Sequence, residues 1–102
     1  MQKEVFGPVV TLQRFSSDDE AIEMANGVRY GLAASVFSRD VGRAMSAARK
    51  LDFGTIWVNE HLFPLTSEMP HGGFKESGYG KDMSLYSMEE NTRVKHVAVK
   101  LA

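Results

Sequence analysis

The stretch that decides the fold of this chain is Leu32-Ala33-Ala34-Ser35-Val36-Phe37, an apolar run in which Ser35 is the only polar residue. A nearly continuous apolar run is expected of a strand that is covered on both faces, as in a parallel sheet. Thr55-Ile56-Trp57-Val58 follows the turn at Asp52-Phe53-Gly54 and is predicted to be another strand. The residues between these two runs then determine how the strands are connected.

The connection is predicted to be a helix. Ser38-Arg39-Asp40 offers an N-cap. Beyond it, apolar side chains recur at the i, i+3, i+4, i+7 spacing of one helix face, at Val41, Ala44, Met45 and Ala48. We expect this helix to end near Leu51.

A strand and a helix are also predicted upstream. Val9 to Phe15 is rich in apolar and β-branched residues and follows Gly7-Pro8, which punctuates the chain. Ser17 and Glu20 have the spacing of a capping box, and Asn26-Gly27 ends the helix with residues that tolerate the left-handed conformation. Alternating strands and helices are typical of a parallel sheet with crossover helices, so the predicted fold class is α/β with a βαβαβ unit.

The segment from Asn59 to Asp82 has no usable periodicity, and a loop of this length is usually functional. Its second half, Pro70 to Asp82, contains four of the nine glycines of the chain. It matches no phosphate-binding loop, because Tyr79 stands where a Walker loop needs Lys and Met83 stands where a dinucleotide fingerprint needs its third glycine. We predict that these glycines allow tight backbone packing near a site.

The chain ends in a predicted short helix and a strand. Met83 to Asn91 fits a helix with Asp82 as its N-cap. Arg93 to Leu101 alternates loosely and predicts a strand, which is either a protected edge or pairs with another subunit. We therefore divide the chain into residues 1–82 and residues 83–102.

Composition excludes several classes of function. With 102 residues the chain forms at most one small domain, and a formal net charge of −1 with scattered basic residues argues against nucleic-acid binding. No apolar run approaches a membrane span and the first residues have no signal-peptide core, so we expect a cytoplasmic protein. The absence of cysteine excludes disulfides and thiol chemistry, and the three histidines lack metal-binding spacing.

Three ordered motifs resemble the NAD(P)-dependent aldehyde dehydrogenase superfamily. Glu4-Val5-Phe6-Gly7-Pro8 is similar to its Glu-x-Phe-Gly-Pro motif, and Trp57-Val58-Asn59 followed by residues 70–81 is similar to its C-terminal landmarks. The resemblance covers nearly the whole chain and implies the C-terminal part of the catalytic domain, with a long Gly-rich loop and an oligomerisation strand. Residues 67–73 and 78–84 most resemble the γ-aminobutyraldehyde and betaine aldehyde dehydrogenases.

The resemblance assigns cofactor contacts, with NAD or NADP, to the first motif. Glu4 matches the glutamate whose carboxylate accepts hydrogen bonds from the nicotinamide-side ribose, and Phe6 matches the aromatic residue that packs by the nicotinamide. Without the motif, Glu4 would be interpreted as a solvated acid and Phe6 as a core residue.

The resemblance also points to substrate-pocket residues. His71 stands where relatives place a pocket aromatic residue, although a loop histidine bonded to the backbone is an equal alternative. His61, Phe63 and Glu68 lie in the loop that, by resemblance, borders the substrate entrance. An acid there could attract the ammonium group of an aminoaldehyde, but Glu68 also fits an ordinary exposed acid. Trp57 is predicted to lie in the core.

The function implied by the resemblance is oxidation of an aldehyde, here an aminoaldehyde, to the carboxylate with NAD(P). That reaction needs a nucleophilic cysteine and a cofactor domain, and this chain supplies no catalytic residue of its own. We expect the chain alone to be inactive and to bind NAD weakly or not at all. The alternative is a free-standing, non-catalytic module that forms homo-oligomers through its C-terminal strand.

Overall fold

The computed structural model describes residues 3–62 and 65–101. The elements follow one another as α1 (Asp18–Asn26), β1 (Tyr30–Gly31), β2 (Ala33–Val36), α2 (Val41–Lys50), β3 (Thr55–Val58), β4 (Phe74–Lys75) and α3 (Ser84–Glu90). The strands β2 and β3 are parallel, with Ala33 opposite Thr55 and Val36 opposite Val58. Because α2 connects them, the βαβ crossover predicted from the central apolar run is confirmed.

The helix α1 begins and ends at its predicted residues. The Ser17 hydroxyl caps it by accepting a hydrogen bond from the Glu20 N–H. The Glu20 carboxylate, however, accepts from the N–H and hydroxyl of Ser16, at 2.7 and 2.6 Å. The predicted end at Asn26-Gly27 is confirmed, although Gly27 has a φ of −69° and does not use the left-handed conformation that it tolerates.

The helix α2 is capped by the last residue of the predicted cap region. The Asp40 carboxylate accepts from the N–H of Arg43 at 3.0 Å. Arg43 in turn forms an ion pair with Asp18 on α1, and Lys50 forms one with Asp19 at 2.9 Å. The two helices are therefore joined by charge pairs along their exposed side.

The Gly-rich loop packs against the amino ends of the parallel strands. β4 pairs antiparallel with β1, so that Gly31 lies opposite Phe74, and the Ser77 hydroxyl accepts from the Gly31 N–H at 3.0 Å. The Gly72 carbonyl lies directly against the Cα of Gly54, where a side-chain carbon would collide with it. Within the loop itself, a side-chain carbon at Gly72 would lie 2.5 Å from the Gly80 carbonyl oxygen, whereas one at Gly78 would meet nothing within 4 Å, so the predicted tight packing is present at Gly72 but not at Gly78.

Two predicted strands are not formed. Residues 9–15 and 93–101 carry no strand assignment, so the βαβαβ unit is wrong and only its second half is present in the described chain. Their apolar side chains are exposed, at 93% for Leu12 and 96% for Val94. Alternating apolar residues produce a strand only when a second strand supplies the backbone partners. Neither segment finds such a partner within residues 3–62 and 65–101.

The short helix α3 begins without the predicted cap. Met83 occupies the N-cap position with a φ of 61°, and its side chain makes no capping hydrogen bond; the Ser84 hydroxyl instead accepts from the Tyr86 N–H at 3.3 Å. The Asp82 carboxylate is instead engaged by the His71 ring, with Nδ1 to Oδ1 at 2.9 Å. The prediction of Asp82 as cap is wrong because this pairing draws the carboxylate away from the helix.

The molecule exposes far more surface than a compact chain of its length. The radius of gyration is 18.8 Å, against about 13 Å for a compact domain of this size. The solvent-accessible area is 8690 Å², roughly 3000 Å² above the value expected for a compact monomer. Ala44 is the only apolar side chain that is fully buried among the residues described. No helix in the described ranges is long and apolar enough to cross a bilayer.

Candidate functional site

The carboxyl end of the parallel strand pair is closed by an asparagine. The Asn59 side chain accepts from the N–H of Ser38 at 2.7 Å and donates to the Ser38 carbonyl at 2.9 Å. Asn59 also adopts a φ of 57°, which turns the chain sharply after β3. This turn brings His61 back over the sheet.

His61 lies over the sheet beside Trp57. Its Nδ1 is 2.6 Å from the Ser35 hydroxyl, and its ring meets the half-buried Trp57 ring edge-on with centroids 5.3 Å apart. Ser35 and Trp57 are register partners on β2 and β3. The predicted substrate-loop histidine is therefore anchored to the sheet while it remains exposed to solvent.

His71 lies at the opposite end of the same strand pair. Its backbone forms two hydrogen bonds with Asp82, at 3.0 and 2.8 Å, and its ring is 24% exposed. Its neighbour Gly72 packs on Gly54, which is three residues before Trp57, or roughly 10 Å along the strand. The structure thus separates His71 from His61 along the length of β3.

The two predicted cofactor residues lie on the extended N-terminal segment. Glu4 lines a depression of about 1020 Å³ together with Tyr30 and Ser77. Its carboxylate has no hydrogen bond or ion pair within the described part of the chain, and Phe6 is 95% exposed. A free carboxylate and a free aromatic ring suit the ribose and ring edge of a nicotinamide. Among the described residues that line this depression, Lys3 is the basic one.

Glu68 is an exposed acid in the loop before His71. Its pKa lies below the ordinary value because its own backbone N–H, and then the Thr66 hydroxyl, donate to the carboxylate. The group therefore remains ionised in mildly acidic solution and can attract a cation. Phe63, predicted in the same loop, lies outside the described residues.

The residues that attach the Gly-rich loop were missed by sequence reasoning. Lys75 donates from Nζ to the carbonyl of Asn26 at 3.2 Å, lies 3.8 Å from the Asp52 carboxylate and covers the Phe53 ring at 4.9 Å. Glu76 pairs with Arg29 at 2.7 Å. Lys75 and Glu76 lie within the landmark at residues 70–81, but no periodicity or motif indicates the distant residues with which they pair. No cluster of three potential metal ligands occurs within the described ranges.

Comparison with known proteins identifies the group to which this architecture belongs. Residues 1–97 match the pattern of the Aldehyde dehydrogenase family. The chain belongs to this family. The resemblance carried by Glu4–Val9, Trp57–Asn59 and the Gly-rich loop is thereby confirmed at the level of the superfamily.

Curated relatives of this aldehyde dehydrogenase chain come from bacteria, fungi and animals. The betaine aldehyde dehydrogenase of Bacillus subtilis is 45% identical over 97 residues, which cover 95% of this chain and 20% of the relative. Aldehyde dehydrogenase 1A1 of Gallus gallus is 42% identical over 100 residues, covering 98% of this chain and 19% of the relative. The chain spans about a fifth of the length of these relatives.

Solved aldehyde dehydrogenase structures share the fold. The betaine aldehyde dehydrogenase of Staphylococcus aureus, solved in complex with NAD+, has a TM-score of 0.83 and 47% identity, covering 87% of this chain and 17% of that one. The NAD-dependent aldehyde dehydrogenase of Sinorhizobium meliloti has a TM-score of 0.86 and 36% identity over 92% of this chain and 18% of that one. The α/β class predicted from the sequence is confirmed.

Proposed function

We propose that this chain forms the C-terminal part of the catalytic domain of a cytoplasmic, NAD(P)-dependent aldehyde dehydrogenase. The enzyme oxidises an aminoaldehyde or a betaine-type aldehyde. Residues 1–82 complete the catalytic domain, and residues 83–102 supply a short helix and an oligomerisation strand. The nucleophilic cysteine comes from outside this chain, which contains no cysteine. The chain alone is therefore inactive.

The observation that carries this proposal is the unpaired surface of the chain. An excess of roughly 3000 Å² of accessible area, with a single fully buried apolar side chain in the described part, leaves much apolar surface for a larger assembly to cover. Of the two uncovered segments, residues 9–15 are rich in apolar and β-branched residues, and residues 93–101 alternate loosely, as is typical of strands. Both fit the edges of a larger sheet.

Glu4 and Phe6 are proposed to contact the cofactor. The Glu4 carboxylate is unpaired in the described chain and can accept bonds from ribose hydroxyls, while Phe6 offers an uncovered ring to the nicotinamide. NAD, when bound, supplies a hydride acceptor to the reaction. Because these residues hold only one end of that molecule, the isolated chain is expected to bind it weakly or not at all.

The substrate side is proposed to involve His71, His61, Phe63 and Glu68. His61 is anchored to Ser35 and Trp57 and can form a fixed wall. Glu68 stays ionised through its local hydrogen bonds and can attract a cationic aldehyde before it enters. This arrangement favours substrates with an ammonium group over neutral ones.

A chimera tests the proposal. The chain replaces the matched segment of the Bacillus subtilis betaine aldehyde dehydrogenase, and NADH formation is followed with betaine aldehyde and with γ-aminobutyraldehyde. We expect an active chimera and no turnover by the isolated chain. A folded chimera without activity, or turnover by the pure isolated chain, contradicts the proposal.

Paired substitutions in the chimera test the cofactor role. Glu4→Gln is expected to raise the KM for NAD about tenfold, since it weakens a charged acceptor for the ribose hydroxyls. Glu23→Gln is the matched control, because Glu23 is an exposed carboxylate on α1 that lies outside the depression. Equal KM values for both variants would remove Glu4 from the site.

The same excess of surface also favours a second function, a free-standing module that self-associates without catalysis. A specific dimer needs roughly 1200–2000 Å² of total buried area, which this chain has in excess. Homo-oligomers through residues 93–101 would then form in the pure protein. Light scattering after size exclusion distinguishes the two, because a stable monomer at working concentration rules out this second function.

A further inference from the structure

The asparagine at the end of α1 joins three parts of the fold. Asn26 Nδ2 donates to the Lys50 carbonyl at the end of α2, and its Oδ1 accepts from the Asp52 N–H, both at 2.8 Å. Its main-chain carbonyl accepts from Lys75 Nζ at 3.2 Å. A single residue therefore ties α1 to α2 and to the Gly-rich loop.

Asn26 is followed by Gly27, and this pair is chemically labile. Once hydroxide removes the Gly27 N–H proton, that nitrogen can attack the side-chain amide carbon of Asn26, because glycine has no side chain to block the approach. The new C–N bond expels the amide nitrogen as ammonia and leaves a cyclic imide. Water then opens the ring at either carbonyl and gives aspartate or isoaspartate.

In the folded chain, hydrogen bonds hold both reacting groups and prevent ring closure. The Gly27 N–H donates to the Glu23 carbonyl at 2.9 Å, and the Asn26 amide is fixed through both of its polar atoms. The last turn of α1 must therefore open before the ring can close. We propose that Asn26-Gly27 is a deamidation site that the folded state protects, and that its conversion releases α1 from α2 and the Gly-rich loop.

The release follows from the chemistry of either product. A carboxylate has no hydrogen to give to the Lys50 carbonyl, so two oxygens would face each other where a hydrogen bond stood. Isoaspartate also adds an atom to the main chain at the helix end, which displaces the Gly27 N–H from Glu23.

The test measures conversion of each asparagine in the full chain by peptide mass mapping. In mildly alkaline buffer we expect slow conversion of Asn26 in the folded chain and rapid conversion in urea. Asn59 and Asn91 are internal controls, because they precede Glu60 and Thr92, whose side chains hinder ring closure. Equal rates of Asn26 conversion in buffer and in urea would contradict protection by the folded state. An Asn26 that does not react in urea would contradict the assignment of Asn26-Gly27 as a deamidation site.

Variants that alter only the opening of α1 sharpen the test. Ser17→Ala removes the N-cap but keeps Asn26-Gly27, and we expect conversion in buffer to rise about fivefold, with the rate in urea unchanged. Ser17→Asp keeps a capping oxygen and should restore the slow rate. Gly27→Ala should slow conversion in urea. A Ser17→Ala rate equal to that of the unsubstituted chain in buffer contradicts gating by the helix.

Discussion

The central unit of the molecule, residues 17–58 with the loop 71–82, differs sharply from its two arms, residues 3–15 and 92–101. In the central unit, caps, ion pairs and strand pairs all find partners inside the chain. In the arms, apolar residues such as Leu12 and Val94 stand almost fully exposed. Both regions have sequence patterns that predict strands, so pattern alone does not separate them. Available partners do.

The difference teaches where the stability of this chain resides. A helix cap or a βαβ crossover is satisfied by residues a short distance along the chain, so it forms wherever the local sequence allows it. An arm strand needs a partner edge, and an unpaired backbone in water gains nothing from being extended. Substitutions in the central unit should therefore alter folding, whereas those in the arms should alter association.

The largest expected effect is at the contact between the Gly-rich loop and β3. A Cβ at Gly54 would collide with the Gly72 carbonyl, and both are backbone groups that cannot turn aside. We expect Gly54→Ala to lower the free energy of unfolding by about 3 kcal/mol, the upper end of the overpacking range. Urea unfolding followed by circular dichroism measures the change.

Gly7 provides the matched control in the arm. A Cβ at Gly7 meets no atom within 4 Å. Gly7→Ala should therefore change the free energy of unfolding by less than about 0.5 kcal/mol. If both alanine variants unfold alike, the loop is not docked on β3 and the comparison between unit and arms fails at its strongest point.

The next effect concerns the lysine that attaches the loop. Lys75→Met removes the bond to the Asn26 carbonyl and the charge over Phe53, and we expect a loss of about 1–2 kcal/mol in the free energy of unfolding. Lys100→Met changes the same residue type in the exposed C-terminal arm and should have almost no effect. Equal losses in thermal or urea unfolding would show that Lys75 does not anchor the loop.

The sequence predicted those parts of the fold whose partners lie nearby. The caps at Ser17 and Asp40 and the strands around Ala34 and Ile56 could be predicted, because each depends on local chemistry or on one crossover. The separation of His61 from His71 could not be predicted. It arises from the turn at Asn59 and from the packing of the Gly-rich loop, both of which depend on contacts between distant residues.

A smaller effect is expected from the ion pair between the helices. The pKa of Asp18 is held below its ordinary value of 3.8, first by the hydrogen bond from Arg43. Such a group stabilises the fold fully above pH 3.8, and this contribution disappears as pH falls through the lowered pKa. Asp18→Asn should therefore be slightly less stable than the unsubstituted chain at neutral pH, and the two stability curves should converge in acid.

Unfolding measured across pH decides this prediction. Arg43→Met removes the other partner and should give the same convergence, since the Asp18 carboxylate then titrates without its cation. A difference between Asp18→Asn and the unsubstituted chain that stays constant down to strong acid would mean that the pair does not join α1 to α2 electrostatically.

The smallest effect on folding is expected in the arms, where the effect on association should be greatest. Leu12→Ser and Val97→Ser change side chains that are 93% and 72% exposed, so the free energy of unfolding should move by less than about 0.5 kcal/mol. Leu51 is half-buried in the central unit, so Leu51→Ser should lower the free energy of unfolding by at least about 1 kcal/mol. In light scattering, the arm variants should reduce the mass of any assembly that the chain forms, because their apolar residues are the ones left for a partner to cover. Destabilisation by the arm variants equal to that of Leu51→Ser would instead place the arms inside the folding unit.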